Sequence, residues 1–371
     1  MKILILTKSF EREVGSFVRY VTDADLPVQC HVVMPASGSP PSLPVPTFFH
    51  KLHWANHMRA AWFSADLRQN FIGFRPDIIH IFEEYSSLIA FQAVVLRNIY
   101  CPKSKILVYA AENIPGNVGS VFRFPARFVR HHADLASVCS HGVREVLIEE
   151  GFKAPIEVFP LGVDSSIFRK FDASQLKHDL GLDGKFIIGY IGRLLTIKGI
   201  FDLIHGMRTL PDNVHLLFIG GGPEEAEVRR RCEVHGLTKR VHILGEVPYA
   251  DLPRYMNCLD IGVVPSHTTP RWKEQFGRVL VELMSCEVPV IGSDSGSIPE
   301  VLGEVGTIFP EQHRDVLANL IQQLLDKPDR RQNLGQRGRA RVDKLYTLSV
   351  MYRQLLAIYE RLGISDKTNG A

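Results

Sequence analysis

Two cations and two carboxylates carry the first chemical signal in this chain. Arg193 and Lys198 stand five positions apart in the stretch Tyr190-Ile191-Gly192-Arg193-Leu194-Leu195-Thr196-Ile197-Lys198-Gly199, after an apolar run and before a helical pattern that begins near Gly199. Ligands of open α/β sheets bind beyond the carboxyl ends of the strands, so a loop in that place points into a cleft. An arginine fork and a lysine point charge there suit a diphosphate, although two solvated loop charges are the plainer reading of the pair alone. Glu274 and Glu282 stand eight apart, the first in a loop and the second inside a helix expected to start near Phe276. Free N–H groups at the start of that helix would meet a phosphate or sugar oxygen. A carboxylate two turns further on would accept hydrogen bonds from a ribose diol. A glutamate pair of this spacing is common by chance on any helix.

Other chemistries leave weaker marks. Asp23-Ala24-Asp25 falls in a helical pattern rather than at a strand end suited to Mg²⁺, and no HExxH is present. In Gly292-Ser293-Asp294-Ser295-Gly296 the central residue is Asp, so no serine-hydrolase elbow exists. His131, His132 and His141 lack metal-ligand spacing, and the six cysteines are too scattered for zinc or redox pairs. No metal and no cofactor are expected.

The elements that must position these residues read as alternating short apolar runs and amphipathic helices. Ile3–Leu6, Gln29–Met34, Asp77–Phe82, Lys105–Tyr109, Asp134–Val138 and Ile156–Phe159 are strand candidates in the first half. Phe186–Tyr190, His215–Ile219, Val241–Leu244, Ile261–Val264 and Val288–Ile291 repeat the pattern in the second. This alternation predicts an α/β chain with two doubly wound, Rossmann-like parallel sheets. Pro160-Leu161-Gly162-Val163-Asp164 opens a turn-rich linker running to about Asp172. The expected division is an acceptor-side domain over 1–165, a nucleotide-sugar domain over 166–346, and a C-terminal helix over about 347–371 that packs back on the first. Leu348, Met351, Leu355, Tyr359 and Leu362 fall on one face of that helix, and the tail from Asp366 reads as frayed.

Both signals together, with Pro289-Val290, Ser295-Gly296 and Pro299-Glu300, resemble the retaining GT-B glycosyltransferases of family 4. Supporting segments are Leu217-Phe218-Ile219-Gly220-Gly221-Gly222-Pro223, Val241–Gly245, Val264-Pro265-Ser266 and Pro160–Asp164. The resemblance is dense from about Pro160 to Pro310 and thin before Asp77. It implies two Rossmann-like domains facing a central cleft, a nucleotide-sugar donor and a glycan, lipid-linked or small-molecule acceptor. It further implies a metal-independent front-face reaction in which the leaving phosphate takes the acceptor's proton.

Carried over by position, Arg193 and Lys198, after Gly192, would bind the diphosphate and stabilise the charge that grows as it leaves. Glu282 would hold the ribose, and the Gly245-Glu246-Val247 loop would meet the base. Glu274, with the Phe276 and Gly277 amides, would hold hydroxyls of the transferred sugar. Gly15, in Val14-Gly15-Ser16, stands where the family has a glycine-rich loop with a pair of glycines. The family's acceptor-side histidine is replaced here by Ala110-Ala111-Glu112-Asn113, which leaves Glu112, Asn113 and the nearby His80 as acceptor-side candidates. The longer segment His267–Lys273 before Glu274 brings in Trp272, which would stack on a sugar or close the cleft.

Bulk properties fit this reading. The 371 residues carry a net charge of +3 and are 45% hydrophobic and 22% charged, an ordinary globular composition of about two domains' length. Only four apolar residues separate Lys2 from Thr7, and no run approaches the roughly 20 needed to span a membrane, so the expected location is cytoplasmic. Arg97, Lys103, Lys105, Arg123, Arg127 and Arg130 face only Glu112 within their window, with Phe122, Phe124 and Phe128 interleaved. Lys51, His53, Trp54, Arg59, Trp62, Phe63 and Arg68 form a second such stretch. Peripheral contact with anionic lipid and a solvated basic face over a core are both open readings. Nucleic acid is not expected, because the basic residues form no dense run. Two other classes remain: a non-catalytic nucleotide-sugar binder or partner subunit, and a nucleotide-sugar epimerase, which would lack the Arg193, Lys198, Glu274 and Glu282 combination.

Overall fold

The apolar runs become strands buried on both faces. In the computed structural model, which describes residues 1–8, 11–36 and 43–364, Ile3, Leu4, Ile5 and Leu6 are all essentially inaccessible. Such unbroken apolar strands belong to parallel sheets covered by helices on either side. The chain divides into two compact units, one made of Met1–Pro160 with the stretch beginning at Tyr352, the other of Leu161–Met351.

The first unit holds strands β1 (Lys2–Leu6), β2 (Gln29–Pro35), β3 (Thr47–His50), a small antiparallel hairpin of β4 (Leu52–His53) and β5 (Trp62–Phe63), then β6 (Ile78–Glu84), β7 (Lys105–Ala110), β8 (Leu135–Val138) and β9 (Ile156–Val158). Seven of them form one parallel sheet in the order β3-β2-β1-β6-β7-β8-β9. Helix Leu88–Tyr100 starts at Ser87, whose Oγ accepts the Ala90 N–H, and helix His141–Glu149 starts at Ser140 with the equivalent bond to Val143. The C-terminal helix, Leu348–Ile364, contributes its residues from Tyr352 onward to this unit. Phe17 meets the rings of Tyr352 and Tyr359 edge-on, at 5.6 and 6.0 Å. The tail from Asp366 lies outside the described residues.

The second unit is a six-stranded parallel sheet of β10 (Phe186–Ile191), β11 (Val214–Ile219), β12 (Val241–Ile243), β13 (Ile261–Val264), β14 (Val290–Ser293) and β15 (Thr307–Phe309), in the order β12-β11-β10-β13-β14-β15. Its core joins Phe186, Ile188 and Tyr190 of β10 to Leu216 and Phe218 of β11 and to Leu203, Leu317 and Ile321 from the helices. The two helices of chemical interest begin slightly later than the sequence pattern suggests. Gly199 and Gly277, both in the left-handed region, are the caps, so the helices run Ile200–Gly206 and Arg278–Ser285. All six cysteines are buried free thiols. Among the described residues no helix is long and apolar enough to cross a membrane.

Candidate active site

In the second unit three loops at the carboxyl ends of adjacent strands are laid against one another. The Gly192 N–H donates to Ile219 O at 2.9 Å, and the Gly220 N–H donates to Gly245 O at 2.7 Å. The loops after β10, β11 and β12 are thus locked into one rim, with Val247 half-buried just beyond. Arg193 stands exposed on this rim. Tyr190 Oη donates to the Arg193 carbonyl at 2.7 Å, which fixes its backbone, while among the described residues its guanidinium has no protein partner.

Lys198 ends a single 3-10 turn, Thr196–Lys198, and its Nζ lies 2.8 Å from Glu274 Oε2. Ser266 Oγ donates to the same oxygen at 2.8 Å. The Lys198 ammonium also sits 4.3 Å from the centre of the Trp272 ring, close enough for a cation–π attraction. Lys198 and Glu274 are therefore brought together with a wall of indole beside them. Glu274 is buried although it belongs to a loop. The reason is local: the Ser297 N–H donates to the Glu274 carbonyl at 3.0 Å, and Gly296 packs directly on that peptide.

Glu282 is buried inside its helix and its Oε1 accepts from Tyr249 Oη at 3.1 Å. Tyr249 was not singled out by sequence reasoning, and its position four residues past Gly245 was the available signal. Phe276 is buried with its ring edge-on to Tyr346, so only its backbone is available to a ligand. Among the described residues the Phe276 and Gly277 amides have no protein acceptor. The long segment ahead of Glu274 is pinned at its start. His267 Nε2 lies 2.5 Å from Asp202 Oδ2, and Arg314 Nε donates to Asp202 Oδ1 at 2.6 Å. Burial alone would raise the Asp202 carboxyl, but these two partners outweigh it and hold it below the usual carboxylate range.

The first unit corrects two expectations. Gly15 lies inside helix Glu11–Asp23, buried and 3.3 Å (from an added Cβ) from the Leu43 side chain, so it is a packing residue rather than part of a phosphate loop. His80 is in mid-strand, paired in register with Ile5 and Leu107, and 1% exposed. Its Nδ1 is 2.7 Å from Tyr359 Oη, and burial pushes the imidazole down to about 3, leaving it neutral. A side chain so enclosed does not touch an acceptor. Glu112 is engaged by Arg59 Nη2 at 2.8 Å, Asn117 Nδ2 at 2.9 Å and the Ile114 N–H at 3.2 Å, and Asn113 is buried beside it.

Glu84 emerges in this neighbourhood instead. Its Oε2 accepts the Ala111 N–H at 3.0 Å, while among the described residues its buried Oε1 has no hydrogen-bond partner. Burial pushes the carboxyl up to about 7, against the pull of the Ala111 amide and Arg59. The folded state thus binds this proton more tightly than the unfolded chain does. That advantage is complete below the ordinary carboxyl value of 4.5 and is lost as pH rises to about 7. Glu84→Gln should therefore gain stability relative to the parent across that window, by on the order of 3 kcal/mol at its top, and no more well above it. Thermal unfolding of both proteins as a function of pH tests this; a difference independent of pH would show that Glu84 is ionised at neutrality.

Residues 172–341 match the profile described as glycosyl transferases group 1, and residues 17–167 match glycosyltransferase family 4. The chain belongs to the family 4 glycosyltransferases. It is 28% identical over 232 residues to the capsular polysaccharide biosynthesis glycosyltransferase CapM of Staphylococcus aureus, covering 59% of this chain and 60% of that protein. It is 30% identical over 237 residues to a GDP-mannose-dependent monoacylated alpha-(1-6)-phosphatidylinositol monomannoside mannosyltransferase of Corynebacterium glutamicum, covering 61% of each. The matched stretch thus spans about 60% of the length of these curated relatives. Among solved structures, Anabaena HepE in complex with UDP aligns with a TM-score of 0.81 at 21% identity, over 97% of this chain and 100% of that one. Sucrose-phosphate synthase of Thermosynechococcus elongatus aligns with a TM-score of 0.80 at 20% identity, over 98% of this chain and all of that one. These likenesses establish the GT-B fold, two Rossmann-like α/β units with parallel sheets.

Proposed function

We propose that this family 4 chain moves a hexose-type sugar from a nucleotide-sugar donor to a glycan, lipid-linked or small-molecule acceptor. In this reading the donor C1–O(phosphate) bond breaks, a bond from C1 to the acceptor oxygen forms on the same face, and the acceptor proton goes to the leaving phosphate. The configuration at C1 is kept, and protein cations do the work a metal would do elsewhere. The observation that carries it is the Lys198–Glu274 pair beside exposed Arg193. A diphosphate entering the rim would take the ammonium, and sugar hydroxyls would take the carboxylate. Electrostatic stabilisation of a leaving diphosphate by preorganised cations is a sufficient source of catalysis. Glu282, steadied by Tyr249, is the ribose acceptor in this scheme, the Gly245–Val247 loop lies by the base, and the Phe276 and Gly277 amides take sugar oxygens. Trp272 forms the wall against the transferred sugar. On the acceptor side Glu112 remains a candidate, presented by Arg59. GDP-mannose dependence in the name of one relative, and UDP in the HepE complex, support a nucleotide sugar as donor class. The enzyme works in the cytosol, with peripheral contact to a membrane surface.

The deciding experiment is a calorimetric titration with UDP-, GDP- and ADP-sugars in EDTA, run in parallel on Glu282→Ala. One donor should bind saturably, and the variant should lose about ten- to a hundredfold in affinity, as expected for a lost hydrogen bond to a charged group. Absence of binding to every donor, or transfer activity that requires added Mg²⁺, would overturn the proposal.

A further inference from the structure

The later basic, aromatic stretch of the first half and Arg68 from the earlier one come together on three neighbouring helices. Helices Arg68–Phe74, Leu88–Tyr100 and Arg123–His132 pack side by side. Phe91 of the second meets Phe124 and Phe128 of the third at 6.0 and 5.2 Å, and Arg97 Nη2 donates to His132 O at 2.5 Å. Right-handed crossovers put successive helices of such a sheet on one face, and these three are its neighbours there. Their inner sides, Phe71 and Phe74, Ile89 to Val94, and Pro125 to Val129, supply the buried residues.

The outer side is unusual in two respects. None of the three helices contains a single Asp or Glu, although the whole chain has 43 Lys and Arg against 40 acids. Arg68, Arg123 and Arg127 are exposed on the helices themselves, and among the described residues none has a carboxylate partner. Large apolar side chains stand among them uncovered: Val121 is 80% exposed, Phe124 69% and Ile99 62%. A basic face alone is a solvated surface. A basic face with protruding valine, phenylalanine and isoleucine keeps apolar area in water for no gain in folding.

We infer that the outer face of these three helices docks on an anionic lipid surface, with Val121 and Phe124 entering the headgroup region and Arg123 and Arg127 flanking them on phosphates. Cations without counter-ions match a negative surface, and apolar side chains between them match the acyl boundary, the two terms that bind interfacial helices. The inference deepens the membrane part of the proposed function, yet it rests on this surface alone.

Co-sedimentation of the full chain, without sugar donor, should distinguish vesicles of phosphatidylcholine alone from vesicles containing one third phosphatidylglycerol. Binding is expected only to the second and should weaken as salt rises. Each basic residue at such a surface is worth roughly a factor of five, so Arg123→Glu with Arg127→Glu should cut partitioning at least about twentyfold. Val121→Ser with Phe124→Ser should cut binding at high salt, where charge is screened, and circular dichroism should show both variants folded. Equal binding to the two vesicle types, no binding, or retention in both folded variants overturns the inference. So does light scattering that shows a dimer lost in the Val121/Phe124 variant, or binding of RNA that competes with vesicles. A failed donor titration leaves the vesicle result untouched.

Discussion

Replacing Arg193 by alanine should lower kcat by about a hundred- to a thousandfold, the usual loss when one preorganised oxyanion donor is removed. The donor Kd should move by less than about tenfold, because the binding share of an exposed cation is small. The two cations are held differently. Lys198 is already neutralised by Glu274 at 2.8 Å and must exchange that partner for the donor, so part of its attraction is offset before chemistry begins. Arg193 has no protein partner among the described residues and an anchored backbone, with Tyr190 Oη on its carbonyl. In the proposed reaction it would have nothing to give up and would meet the leaving group when charge has grown most. Arg193→Lys should recover only part of the rate, since an ammonium lacks the planar fork. Single-turnover kinetics alongside donor titration separate the effects; a Kd raised a hundredfold with kcat intact would make Arg193 a binding residue only.

Gly296→Ala should be among the most damaging single-methyl changes in the second unit. The residue has φ +54°, and an added Cβ would lie 2.0 Å from the Glu274 carbonyl oxygen, which belongs to backbone and cannot rotate away. The Glu274 loop must move, and Oε2 must leave Lys198 and Ser266. Strain and overlap together should cost on the order of 3 kcal/mol or more, with donor affinity falling in step. Gly236→Ala is the control, for it carries a similar φ of +67° with open space around it. It should cost only the left-handed penalty of about 1–2 kcal/mol and leave the donor site alone. Comparable loss of donor affinity in both variants would show that the effect is general destabilisation.

The parts of the fold legible in the sequence were those with dense local signals. Ile261–Val264 is a strand over the expected residues, and Phe186–Tyr190 differs by one position, because unbroken apolar runs between turns leave little else to form. β3, the β4–β5 hairpin and β15 were not read. Thr47–His50 and Thr307–Phe309 are short edge strands only partly buried, so their residues show neither a long run nor clear alternation. The Lys198 and Glu274 neighbourhood was legible because each residue belongs to a short patterned stretch, Gly192–Gly199 for the first and the eight-residue spacing to Glu282 for the second. Ser266 appeared only within a supporting segment, and Tyr249 gave only the weak signal of its place four residues past Gly245. The acceptor-side residues were hard to read because their partners are remote. Glu112 is set by Arg59, 53 positions earlier, and His80 by Tyr359, 279 positions later. Ile78, Ile79, Ile81 and Phe82 around His80 did mark it as interior. Gly15 was misplaced because one glycine in a helical pattern was weighed as a loop.

The late arrival of Tyr359 also bears on how the chain is made. The face of the first sheet that holds Phe17 and His80 is closed by Tyr352 and Tyr359. A ribosome adding roughly 5–20 residues per second needs roughly a quarter of a minute to a minute to travel the 279 positions from His80 to Tyr359. Once β9 is made, and until Tyr359 follows, the first unit has its strands but not its last helix, whereas Leu161–Met351 is contiguous and can complete itself. The order of completion during synthesis is therefore reversed relative to the order of the sequence, and the nascent first half is the part that waits with one face of its sheet uncovered.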